Sequence, residues 1–127
     1  MDNNEKVTEE EIGNLVDSFY AKVRRDEVIG PIFNAMIDDW PLHLATLKNF
    51  WSTIMLTTGR YKGDPMMRHL QLPLDPAHFQ RWLTLFAETA NEVMPPGHAN
   101  SIILKSHRIG QNFQAGIAYQ KLAAARD

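Results

Sequence analysis

An all-α fold is what this sequence predicts, on three observations: apolar residues recur at helical spacing in every long segment, good helix-capping residues stand just ahead of those segments, and no stretch alternates polar and apolar residues as a strand would. Four long helices and a short one are expected. With 127 residues the chain makes one domain, 1–127, and a chain of that size buries about two-thirds of the surface its unfolded form exposes, enough for a core and a modest pocket.

Each element has its own signal. Thr8 caps and Glu9, Glu10 and Glu11 follow on the positive end of the helix dipole, so a first helix runs from about 9 to 25 with Ile12, Leu15, Val16, Phe19 and Val23 on one face. After "VIGP" there is room only for a turn or short helix around Ile32 and Phe33. Asp38 or Asp39 then caps a second long helix with Pro41 in its first turn, ending at Gly59 and carrying the stripe Leu44, Leu47, Phe50, Trp51, Ile54 and Met55. His43 shares that inner face. Gly63 and Pro65 make a loop before a short helical piece around Met66 to Leu70, which Pro73 stops. Asp75 caps the third long helix, with Pro76 in first position and Phe79, Trp82, Leu83, Phe86, Ala90 and Val93 on one side. Pro95-Pro96-Gly97 ends it, and the last helix, from about 98 to 123, has Ile102, Ile109, Phe113 and Ile117 in register.

Composition excludes several functions. A net charge of −2 leaves no electrostatic footprint for nucleic acid, and no apolar run approaches the ~20 residues that crossing a bilayer requires. Zero cysteines rule out disulfides, thiolate ligands and a cysteine nucleophile. The start "MDNNEKVTEEE" lacks the basic end and apolar stretch of a signal peptide, so a cytoplasmic protein is expected.

Chemistry narrows by elimination. No glutamate stands three residues before a histidine, as a di-iron carboxylate bundle requires, and the zinc-protease, nucleophile-elbow and phosphate-loop patterns are missing. An apolar pocket among helices with a few polar tips remains, the usual description of a cofactor or small-ligand site, and one histidine beside it suffices to hold a haem iron. Periodicity alone does not choose between His69 and His78, which shares a face with Trp82. A helical interaction module without cofactor is the competing reading, with Phe50/Trp51 and Trp82/Phe86 as plain core.

The segments "DSFYAKVRRDEVIGPIFN", "HLATLKNFW", "GRYKGDPMMRHLQLP" and "HFQRWLTLF", in this order, resemble the truncated haemoglobins of group III over essentially the whole chain. The resemblance implies a two-over-two helical sandwich around haem b, with the proximal segment reduced to little more than a short helix. It matches His69 to the proximal iron ligand, Tyr20, His43 and Trp82 to the distal polar positions, Phe33 to the phenylalanine packed on the haem, and Phe50 and Trp51 to the aromatic wall. Phe79 joins them as a haem contact. Arg68 is a candidate partner for a haem propionate, since a guanidinium suits carboxylate geometry, with a solvated side chain as the equal alternative. His78 is left a structural or capping role, and His98 and His107 read as surface or helix-end residues. The implied ligands are dioxygen, carbon monoxide and nitric oxide, with an unidentified reductase. A pocket this polar suits oxygen, nitric oxide or peroxide chemistry, in the manner of a nitric oxide dioxygenase or a peroxidase, better than bulk oxygen transport.

Overall fold

A computed structural model describes residues 6–63 and 75–126. Five helices make up the described residues: α1 (Glu9–Arg25), α2 (Gly30–Met36), α3 (Trp40–Leu56), α4 (Pro76–Val93) and α5 (Pro96–Arg126). No strand occurs among them, and none of these helices is long and apolar enough to cross a membrane. The short helical piece anticipated around Met66 to Leu70 lies outside the described residues.

α1 is the spine. Thr8 Oγ1 accepts the Glu11 N–H at 3.1 Å and Glu11 returns the bond, accepting the Thr8 N–H at 2.9 Å, so two amide groups that the first turn leaves without helical partners are satisfied reciprocally. Beyond this cap Ile12, Leu15, Val16, Phe19, Tyr20 and Val23 form a buried face, and α1 packs through it against α2, α3 and α4. Asp26 ends the helix. Its carboxylate accepts the N–H groups of Val28 and Ile29, each at 3.0 Å, and two bonds from the Arg81 guanidinium on α4 at 2.7 and 2.9 Å. The Arg81 bonds, with help from the two backbone N–H groups, outweigh burial and hold the Asp26 carboxyl below its ordinary range.

The turn into α2 explains one glycine. A Cβ at Gly30 would stand 2.9 Å from the Val23 carbonyl oxygen and 3.1 Å from that of Arg24, backbone atoms with little freedom to move. Gly30→Ala is therefore expected to cost about 1 to 3 kcal/mol, the usual range for forcing an extra carbon into a packed contact. A urea midpoint equal to the parent's would contradict this.

α3 is capped by Asp39, whose side chain accepts the Leu42 N–H at 3.1 Å, with Pro41 in the first turn. It stops at Leu56, three residues short of the expected Gly59, where Thr57 turns left-handed at φ 54°. Side chains of its last turn hold the chain that follows. Buried Ser52 bonds Thr58 at 2.8 Å, and Thr53 accepts the Tyr61 N–H at 2.9 Å. The apolar stripe of α3 is only half covered: Leu44, Leu47, Phe50, Ile54 and Met55 are partly buried against the core, and Trp51 alone of the stripe is fully buried.

α4 begins with a second reciprocal cap. Asp75 accepts from Ala77 and His78, and His78 Nδ1 accepts the Asp75 N–H at 3.0 Å, which is the capping role anticipated for this histidine. α5 starts at Pro96 instead of about 98, since proline at the first position gives up only an N–H that has no helical partner there. His98 stands at a helix end, as one of the two expectations had it, but it is buried and not on the surface. The first turn of α5 lands on that of α1, and the His98 ring Nδ1 lies 2.8 and 2.9 Å from the two Glu11 oxygens with the imidazole 10 % exposed. Burial pushes the Glu11 carboxyl up, but the Thr8 and His98 bonds prevail and hold it below its ordinary value.

Candidate functional site

The uncovered side of α3 faces a cleft of about 620 Å³. α1 supplies Tyr20; α3 supplies His43, Thr46, Leu47, Phe50 and Trp51; Tyr61 comes from the segment after α3, Trp82 from α4, and Ile109 and Phe113 from α5. An adjoining hollow of about 380 Å³ shares Trp82, Ile109 and Phe113 and adds Phe33, His78, Phe79 and Gly110. Of the residues anticipated from the sequence, Tyr20, His43, Phe50, Trp51 and Trp82 thus come together in the larger space, and Phe33 and Phe79 line the smaller. His69 and Arg68 lie outside the described residues.

Local packing fixes the polar tips. Trp82 stacks on Phe86, one turn along α4, with centroids 5.0 Å apart and planes 9° from parallel, while Phe19 meets it edge-on at 5.0 Å. Phe86 in turn stacks on Trp51 at 5.1 Å. Between these neighbours the indole cannot turn without breaking contacts, which keeps its N–H near the hydroxyl of Tyr20. Tyr20 is itself buried, edge-on to Phe19 at 4.7 Å and Phe33 at 6.2 Å. Burial pushes its hydroxyl far above the ordinary tyrosine range, against a smaller downward pull from the Trp82 N–H. The group therefore stays a protonated donor at any physiological pH. His43 stands at right angles to Tyr20, centroids 6.0 Å apart, and is only partly buried. Among the described residues no three His, Asp or Glu side chains gather as a cation site.

Two residues in or beside the cleft escaped the sequence reading. Tyr61 lies edge-on to Phe50 at 5.3 Å. It sits in a loop, where helical period carries no information, and the loop is held by Arg60, which pairs with Glu9 Oε2 at 3.0 Å, an oxygen that also accepts from Ser52 at 2.8 Å. Trp40 is buried behind Tyr20 and His43, at 6.1 and 5.7 Å. Its spacing of three from His43 would have placed the two rings on one helix face.

Comparison with known proteins places this architecture. The bacterial-like globin family model matches residues 5–112. The group 3 truncated haemoglobin of Campylobacter jejuni is 39% identical over 115 residues, covering 87% of this chain and 91% of that protein. The crystal structure of the group III truncated haemoglobin from Campylobacter jejuni superposes with a TM-score of 0.83 at 38% identity, over 88% of this chain and 92% of that one. A group II truncated haemoglobin from Bacillus anthracis, solved as a tryptophan-to-leucine variant, shares the fold with a TM-score of 0.72 at 22% identity, over 92% and 91% of the two chains. With both its sequence and its helical arrangement matched over most of its length, the chain belongs to the bacterial-like globins, as a truncated haemoglobin of group III.

Proposed function

We propose that the cleft holds haem b and that the protein binds dioxygen, carbon monoxide, nitric oxide or similar diatomic ligands there, retaining them for chemistry instead of delivering oxygen in bulk. The observation that carries this reading is the convergence of Tyr20, His43 and Trp82 on a largely apolar, aromatic cleft. A slot walled by Phe50, Trp51, Ile109 and Phe113, with Phe33 and Phe79 along its extension, suits a flat and largely apolar macrocycle. In this reading His69 is the proximal ligand and Arg68 meets a propionate.

Haem supplies a reversible binding position for diatomic ligands and one-electron redox chemistry. This chain's residues supply selectivity and retention. Tyr20, protonated, has an O–H free of charge repulsion to donate to a negatively charged ligand atom, and the Trp82 N–H near it is a second donor. Such a bond contributes about 1.5 to 3 kcal/mol, and each ~1.4 kcal/mol slows escape tenfold if it is lost in the transition state for release. His43, half-exposed beside Tyr20, acts as a gate more than as an iron ligand. Strong retention is a handicap for transport and an asset for oxygen, nitric oxide or peroxide turnover, with electrons from a reductase in a cytoplasmic setting.

The test is a visible spectrum of the purified protein after haem supplementation. A Soret band that shifts on reduction and again with carbon monoxide is expected. No band after supplementation would leave the haem-free helical interaction module.

A further inference from the structure

Trp40 is the first residue of α3, yet it is buried, while its neighbours Pro41 and Leu42 are exposed. A large ring is rarely placed at a helix start without something to pack on, and here two helices provide it. On α1, Tyr20 and Arg24 are one turn apart and so share a face; on α3, Trp40 and His43 do the same. The four side chains meet. The Arg24 guanidinium carbon lies 4.6 Å above the Trp40 ring, the His43 imidazole stands 85° to that ring at 5.7 Å, and Tyr20 closes the triangle at 6.1 Å from Trp40 and 6.0 Å from His43. Arg24 is itself well placed to act as a clamp: it is in the last turn of α1, where the helix dipole favours a cation, and its carbonyl accepts the Asn34 side chain at 3.1 Å, which ties that turn to α2.

We propose that Trp40, held under Arg24, is the positioning residue that keeps the His43 imidazole inside the cleft, so that ligand entry is set by the Arg24–Trp40 pair and not by His43 alone. The proposal rests on the reading of the cleft as the haem and ligand site. An imidazole that swings out of the cleft mouth leaves its edge contacts with both Trp40 and Tyr20. The Tyr20 contact belongs to the ligand machinery, whereas Trp40 is outside it and touches His43 from behind. The cation above the indole matters because it fixes the ring against which His43 rests, and a pinned ring holds its neighbour better than one free to tilt.

Carbon monoxide association by flash photolysis and the ring-current shift of the His43 Cε1–H by NMR, both on the carbonmonoxy holoprotein, test this. Trp40→Leu is expected to raise the association rate about five- to tenfold, the population change that losing one aromatic edge contact produces. It should also move the His43 resonance toward that of a solvated imidazole. Trp40→Phe should restore much of both, and Arg24→Gln should give a rise of about two- to threefold with a smaller shift in the same direction. Parent-like rates and shifts in Trp40→Leu and Arg24→Gln would overturn the proposal, and should Trp40→Leu fail to fold, Arg24→Gln decides by itself. Failure of the parent to take up haem overturns the haem reading and the gating claim with it; the His43 shift, read in the haem-free protein, then separately reports whether Trp40 holds the imidazole.

Discussion

Replacing His69 with glycine is expected to strip the protein of tightly held haem and to leave a chain whose spectrum returns only when imidazole is added. The loss should exceed the roughly 10- to 100-fold that removing an outer-shell partner of a metal ligand costs, since here the ligand itself goes. The rival is His78. It lines the smaller hollow, but its Nδ1 already accepts the Asp75 N–H and so serves the cap of α4. His78→Gly should cost the fold on the order of 0.5 to 2 kcal/mol, as losing a helix cap does, and keep the haem. Haem uptake measured by pyridine haemochrome on both variants decides. Loss in His78→Gly with retention in His69→Gly would reverse the assignment.

How much of this was legible in the sequence depends on how far apart the interacting residues are. The caps at Thr8, Asp39 and Asp75 are local, and each stands at the helix start that its neighbours announced. Pro96 was ambiguous because a proline that stops one helix is equally good as the first residue of the next. The burial of His98 at the start of its helix was not legible because its partner, Glu11, comes from the far end of the chain, and no spacing rule joins them. The half-covered stripe of α3 has a different cause: an apolar face lining a cleft and an apolar face buried in a core look the same in sequence. Periodicity therefore found the inner faces but could not assign Tyr20 or Trp82 a role, nor choose between His69 and His78. Only the resemblance to a family did that. Trp40 was partly legible through its spacing from His43, whereas its contacts with Tyr20 and Arg24 come from another helix and were not.

Tyr20 and Trp82 are expected to hold a bound ligand as one unit. Phenylalanine at position 82 keeps an aromatic ring to stack on Phe86 and to meet Phe19, and removes the indole N–H. That N–H acts on the nearby Tyr20 hydroxyl, so its loss also changes the setting of the donor that Tyr20 offers. Tyr20→Phe removes the shared hydroxyl outright. Each single variant should therefore release oxygen at least about tenfold faster than the parent, equivalent to ~1.4 kcal/mol, and the double variant should fall short of the product of the two because both donors serve the same bound ligand.

Oxygen dissociation by stopped flow, compared between the parent and Trp82→Phe, tests most directly whether the polar tips of this cleft are there to retain ligand. The account predicts release faster by about an order of magnitude in the variant. Release at the parent's rate would mean that Trp82 only fills space and would contradict it.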